Sequence, residues 1–237
     1  MNSVKKTVVT SVILTLVALA IGVAAFAPER AVTISASGGY SAIYNGDRNS
    51  KNVAFAVNVY ENADIVLKMA DLLKNARFSA TFFVGGCWAD DNIETIKTLI
   101  EEGFEIGNHG YYHKDHKKLS YDRNLSEIKD CGNLVKSATG YEIKLFAPPS
   151  GSFGKDTLAA AENLGYKTIM WSKDTIDWRD GDKSVVIKRA TKNLTAGDII
   201  LMHPKAVTVS ALPEIINAVK AAGLNAVTVG ECINAAA

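Results

Sequence analysis

Cysteine is scarce in this 237-residue chain: Cys87, Cys131 and Cys232 form an odd set at wide spacing, with no C-x-x-C pair. Such a set gives no disulfide framework, although an exported protein could pair two of its thiols. Cys87 and Cys232 stand near apolar, strand-like segments and read as buried thiols. A surplus of either charge is missing too. The formal net charge is +1; residues 1–30 hold Lys5, Lys6, Arg30 and Glu29, so the rest of the chain carries −1. A nucleic-acid binder usually shows a basic stripe, so no nucleic-acid partner is expected. No G-x-G-x-x-G or P-loop follows the first strand-like run of the repeating region, which argues against a nucleotide site. No Glu follows His109, which excludes the H-E-x-x-H peptidase pattern.

What is present begins with 48% hydrophobic residues, enough for one sizeable core or a single large α/β barrel. Residues 8–27 are an almost unbroken apolar run behind Lys5 and Lys6, about long enough to span a bilayer. Ala25-Phe26-Ala27 resembles a cleavage site, but Pro28 directly after it should hinder a signal peptidase. An uncleaved anchor over residues 1–30 is therefore preferred to a cleaved leader. The positive-inside bias then puts the remainder outside the cytoplasm, membrane-anchored or secreted. Residues 31–52 are rich in Gly, Ser and Asn and read as a linker with one short strand.

From 53 to 234 a single rhythm takes over. Strand-like runs fall at 53–59, 79–84, 104–106, 143–146, 168–171, 199–202 and 226–229. Helical periodicity fills 63–74, 93–102, 125–137, 156–163, 185–193 and 212–222. Gly103, Gly140, Gly165 and Gly223 each sit just past a helical stretch, where a left-handed cap is expected. Ser120 and Ser184 are candidate N-caps. Repeated strand–helix units imply parallel strands joined by right-handed crossovers, as an open sheet or a barrel. In both, function gathers at the carboxyl ends of strands. Asn58, His109, Pro148, Pro149, Asp174, Trp178 and His203 all fall there.

Three of the four histidines, His109, His113 and His116, lie within eight residues. His109-Gly110-Tyr111-Tyr112-His113 follows the strand-like Phe104-Glu105-Ile106-Gly107-Asn108, and His203 closes Ile199-Ile200-Leu201-Met202. Two imidazoles so spaced can share one borderline-soft cation, and a third can move protons beside it. Two satisfied loop histidines would show the same spacing.

The order of these motifs resembles the polysaccharide deacetylase family, the NodB-homology domain of carbohydrate esterases, and within it a divergent, sporulation-type member. The likeness covers residues 53–233 and implies an α/β fold, a distorted (β/α) barrel of about seven parallel strands. Gly107-Asn108-His109-Gly110-Tyr111-Tyr112-His113 is similar to the second motif, which implies His109 and His113 as ligands of a divalent metal, zinc first. Phe146-Ala147-Pro148-Pro149-Ser150-Gly151 is similar to the third, which implies Pro148 and Pro149 as one wall of a substrate groove. Asp174-Thr175-Ile176-Asp177-Trp178 resembles the fourth, with Asp177 orienting a catalytic histidine and Trp178 as the opposite wall. Leu201-Met202-His203 resembles the fifth, with Leu201 against the acetyl methyl and His203 as general acid. The implied reaction removes N-acetyl groups from a cell-wall glycan such as peptidoglycan.

The first motif departs from the family. Where Thr-Phe-Asp-Asp-Gly is usual, this chain has Ala56-Val57-Asn58-Val59-Tyr60. The amide of Asn58 has no useful basicity in place of the general base, and Val59 cannot ligate a metal. Ala147 stands where an Arg normally pairs with that base. The losses fit together, since an arginine facing a neutral amide would be an unpaired buried charge. Asp64 is the candidate third ligand, with His116 and Asp174 as alternatives, and Glu61 or Asp64 would have to serve as base. Asp64 has an ordinary explanation too, as a helix N-terminal carboxylate. For the whole chain the rival reading is a degenerate deacetylase fold that binds glycan, or serves envelope or spore assembly, without turnover.

Overall fold

The computed structural model describes residues 39–234 and the backbone strand β1 (Thr33–Ser35). The 8–27 run, and the anchor expected there, lie outside the described residues. Among the described residues no helix is long and apolar enough to cross a membrane.

Strand β3 (Asn52–Val59) organises the rest. All but its first residue are buried, as befits a strand covered on both faces. Val53, Phe55, Val57 and Val59 join the main core with residues of the surrounding helices. Ala54 and Ala56 join a second cluster with Phe83, Leu145 and Ile199. Side chains alternate along a strand, so Asn58 continues the row of Ala54 and Ala56.

On one side of β3 stand β4 (Thr81–Val84), β5 (Glu105–Asn108), β6 (Leu145–Phe146), β7 (Lys167–Ile169) and β2 (Ser41–Ile43) in that order. On its other side stand β9 (Ile199–Met202) and then β8 (Lys173–Asp174). Strand β10 (Asn225–Val227) pairs with the start of β3. Every named pairing is parallel except β1 with β2. An antiparallel bridge between Asn45 and Asp198 joins the two flanks. There the buried Asp198 pairs with Arg48 at 3.0 Å and accepts from Ser172 Oγ at 2.8 Å. Gly197, at φ 78°, belongs to this seam: a Cβ on it would lie 2.7 Å from the Gly46 carbonyl oxygen, so a side chain does not fit.

The result is the distorted (β/α) barrel expected. Each of the seven anticipated strands has a counterpart. Residues 31–52, read as a linker with one strand, supply two, and β8 adds a third that two residues cannot announce by periodicity.

Helix α1 (Ala63–Asn75) buries Val66, Met69, Ala70 and Leu73, the i, i+3, i+4, i+7 stripe of an amphipathic helix. It is followed by α2 (Gly86–Asp91), α3 (Ile93–Glu101), α4 (Tyr121–Thr139), α5 (Lys155–Asn163), α6 (Lys183–Thr191), α7 (Ala206–Ala221) and α8 (Val229–Asn234). The short α2 and α8 are too brief to show a period in the sequence. Helix α7 begins at Ala206 rather than 212. Pro213 suggests a first turn but lies inside the helix on its solvent face, where the carbonyl it leaves unbonded can reach water. Ser120 caps α4, accepting from the Arg123 N–H at 3.4 Å. Asp182, not Ser184, caps α6, because its Oδ1 accepts from the Ser184 N–H at 2.8 Å. All four anticipated capping glycines have positive φ. The three thiols are free. Cys131 and Cys232 are buried, which pushes both thiols up to about 12; Cys87, expected to be buried, is only half-buried.

Candidate functional site

The carboxyl ends of the strands open on one cavity of about 430 Å³, within the range of roughly 300–1,000 Å³ usual for ligand sites. Asn58 forms part of it from the end of β3. His109 and His113 come from the loop after β5, Asp174 from β8, and Leu201 and His203 from the end of β9. Ser150, Trp171 and Trp178 complete the lining. The three imidazoles therefore face one hollow.

His109 is 2% exposed, and its Nδ1 lies 2.7 Å from the Ala147 carbonyl oxygen. A carbonyl can only accept, so Nδ1 carries the hydrogen and Nε2 keeps the lone pair. Burial, and then the neighbouring His113, push the His109 pKa down to about 3, against the opposing Ala147 bond. The His113 ring centre is 5.2 Å from that of His109, and burial also holds its pKa below the ordinary value. Both rings are neutral at pH 7.

His113 has φ 52°, a left-handed conformation that non-glycine residues adopt at a cost. Three contacts pin the loop that imposes it. Asn108 Oδ1 accepts the Gly110 N–H at 2.8 Å while Nδ2 donates to the Ile128 carbonyl at 2.7 Å. One oxygen of the buried Glu127 carboxylate accepts the N–H groups of Tyr111 and Tyr112 at 3.0 and 2.7 Å. The Tyr60 hydroxyl donates to the Tyr111 carbonyl, and its ring centre lies 4.9 Å from that of His113. A Cβ on Gly85 would fall 1.7 Å from the Tyr60 ring, so Gly85 makes the room that Tyr60 occupies.

Glu127 belongs to no motif. Its one sequence trace is a carboxylate on the buried stripe of α4, between Asn124 and Ile128. Glu127→Ala orphans two backbone donors, at roughly 1–3 kcal/mol each. A loss of about 2–4 kcal/mol of unfolding free energy is expected in urea melts, with Glu127→Gln recovering part of it.

The His109 shift sets a pH dependence. Its folded pKa of about 3 lies below the ordinary 6.5, so the unfolded chain takes up the proton first. The stabilisation is complete above about pH 6.5 and is lost as pH falls towards 3, at up to about 1.4 kcal/mol per pH unit. Urea midpoints should therefore drop between pH 7 and pH 5, and His109→Gln should flatten that slope.

His203 is fixed through Asp177. Its Nδ1 lies 2.7 Å from Asp177 Oδ1, and its backbone N–H donates to Oδ2 at 2.8 Å. Thr208 Oγ1 donates to the same Oδ2 at 2.6 Å. Burial works against the Asp177 charge, but the His203 contacts and Thr208 outweigh it and hold the carboxyl below the usual carboxylate range. The imidazole is thereby held with Nδ1–H on the carboxylate and Nε2 free to accept or deliver a proton.

Other expected residues stand elsewhere. Asp64 is exposed on the first turn of α1 and does not line the cavity. Glu61 is exposed and pairs with Lys205. His116 is fully buried, with Nδ1 2.7 Å from Asn124 Oδ1, and is absent from the lining. Asp174 lines the cavity while its Oδ1 accepts the Ile176 N–H at 2.8 Å. Val59 is 0% exposed in the main core, on the face of β3 opposite Asn58. Pro148 and Pro149 are buried rather than lining; Ser150 of the turn Pro149–Gly151, at φ 55°, lines the cavity instead. Leu201 and Trp178 do line it, and Trp178 is 54% exposed. Trp171, just past β7, obeys the strand-end rule but carried no motif.

A catalytic zinc takes about three protein ligands plus water. Among the described residues no group of three His, Cys, Asp or Glu suits a metal ion. The two imidazoles do not make such a site by themselves, and Asp64 does not complete it.

A polysaccharide deacetylase family model matches residues 45–169. Among curated proteins, the chain is similar to uncharacterized protein YlxY of Bacillus subtilis (strain 168), 35% identical over 192 residues, 81% of this chain and 60% of that protein. It is similar to peptidoglycan-N-acetylmuramic acid deacetylase PdaA of the same strain, 32% identical over 169 residues, 69% of this chain and 64% of PdaA. The matched stretch thus spans less than two thirds of either relative. The fold is similar to the crystal structure of BA3943, a CE4 family pseudoenzyme from Bacillus anthracis, with TM-score 0.78 and 33% identity over 81% of this chain and 68% of that one. A BA3943 mutant with restored enzymatic activity is equally similar, at TM-score 0.78 and 31% identity. With its barrel, its strand-end histidines and these relatives, deacetylases and a pseudoenzyme alike, the chain belongs to the polysaccharide deacetylase family.

Proposed function

We propose that this chain holds an N-acetylated cell-wall glycan, such as peptidoglycan, in its strand-end cavity and in its natural form does not hydrolyse it. The observation that carries this is the end of β3. An uncharged Asn58 occupies the position of the family's base, and among the described residues no group of three His, Cys, Asp or Glu forms around His109 and His113. Trp171, Trp178 and Leu201 line the same cavity, and their apolar surface supports a bound sugar. The pseudoenzyme relative supports a silent site, and PdaA supports a peptidoglycan ligand.

One observation favours the second reading, a metal-dependent hydrolase. The Asp177–His203 pair is intact and able to protonate a leaving amine. The apolar run at 8–27 supports a site held outside the membrane, which protease accessibility on intact cells would check.

The test is calorimetric titration of the whole chain with a tetramer of N-acetylglucosamine. Binding is expected, weakened about tenfold by Trp178→Ala, since an exposed indole offers a sugar face a large apolar surface. Absence of binding, or an unchanged affinity in that variant, would overturn the proposal.

A further inference from the structure

We infer that Asp174 is a positioning residue: its carboxylate holds Ile176 in a left-handed turn that seats Asp177 on His203 and sets Trp178 at the cavity. The part that concerns Trp178 rests on the glycan-binding reading above; the part that concerns His203 does not.

Ile176 has φ 55° and, among the described residues, is the β-branched member of the non-glycine residues at positive φ. That region is sparsely allowed for any L-residue and least suited to a branched side chain. Such a conformation persists where its surroundings over-determine it, and here they do. Before it, Thr175 is fully buried and its Oγ1 donates to the Leu201 carbonyl at 2.9 Å. After it, Asp177 is 4% exposed and takes its bonds from His203 and Thr208. Between these anchors the Ile176 N–H donates to Asp174 Oδ1 at 2.8 Å. The Ile176 carbonyl accepts the N–H groups of Arg179 and Asp180 at 3.1 and 2.9 Å, which closes the turn that carries Trp178.

One residue thus links two parts of the site. Asp177 is buried against His203, while Trp178, the next residue, stands 54% exposed in the cavity lining. Without the Asp174 acceptor the Ile176 N–H loses its partner, and the branched side chain favours a negative φ. Asp177 and Trp178 then shift together. Asp174 itself is held in place, by pairing opposite Leu201 across β8 and β9 and by Arg189 Nε, which donates to its carbonyl at 2.7 Å. What its side chain supplies is an acceptor at a fixed point rather than a negative charge, so an amide can replace it.

The experiment reads the His203 ring by nitrogen NMR on the isotopically labelled full chain at about pH 8, above the ordinary imidazole range. His203→Ala assigns the signals. The natural chain is expected to show the Nδ1–H tautomer. Asp174→Ala should give a mixture of both tautomers and weaken binding of N-acetylglucosamine tetramer by about threefold to tenfold, towards the level of Trp178→Ala. Asp174→Asn, which keeps the acceptor, should retain the tautomer and bind within about twofold of the natural chain. Adding Ile176→Asn to Asp174→Ala should restore both readings, because asparagine adopts the left-handed conformation more readily than isoleucine. Should Asp174→Ala melt early, the double variant must recover the fold as well as the tautomer. An unchanged tautomer in folded Asp174→Ala, equal damage in Asp174→Asn, or a double variant that recovers nothing would overturn the inference. If the natural chain does not bind the tetramer, the glycan-binding reading falls, and the tautomer still decides the role of Asp174.

Discussion

Asn58→Asp should raise zinc content and acetate release above those of the natural chain. The substitution puts a carboxylate into the cavity lined by His109 and His113, and two neutral imidazoles with one carboxylate make a common catalytic zinc set. His109 is prepared for this role, because its bond to Ala147 leaves Nε2 as the lone-pair nitrogen. The expected zinc content after purification rises to about one per chain. Acetate release should rise by about 100-fold or more over the natural chain, the lower end of what a positioned acid or base supplies. Atomic emission and an acetate assay on the same sample read both quantities. If both stay at the natural chain's level, Asn58 is not what silences the site.

Val59→Asp, the other change the family motif invites, should damage the protein instead. Motif alignment places a metal-binding aspartate at 59, but the Val59 side chain is 0% exposed in the main core and on the other face of β3. A carboxylate there is buried without a partner, which costs about 3–5 kcal/mol. For a chain of this size each kcal/mol lowers Tm by roughly 2–4 °C, so a fall of about 10 °C is expected in thermal melts. An unchanged Tm together with new zinc binding would mean that residue 59 turns into the cavity.

Those two positions show where the sequence is informative and where it stops. Alternation along β3 makes the strand legible and separates Asn58 from Val59, provided the two faces are compared rather than the motif alone. The histidines at 109, 113 and 203 are legible because each follows a strand, and strand ends share a rim. Asp177 is legible only through the family resemblance, since its contact with His203 spans 26 residues of chain. Asp64 misleads because nearness in sequence to Asn58 is not nearness in space: the first turn of α1 carries it into solvent. Pro148 and Pro149 mislead by one or two residues, because the turn they build presents Ser150. Glu127 and Tyr60 are not legible in the sequence because their partners are backbone groups of the histidine loop, and no residue pattern announces a backbone partner.

On the proposed function, the cavity keeps its ligand and lacks its chemistry. The most direct measurement incubates the natural, full chain with N-acetylglucosamine tetramer and added zinc, and follows bound sugar and free acetate together. Saturable binding is expected, with acetate no higher than in buffer. Sustained acetate release by the unaltered chain, lost in His203→Ala, would contradict it.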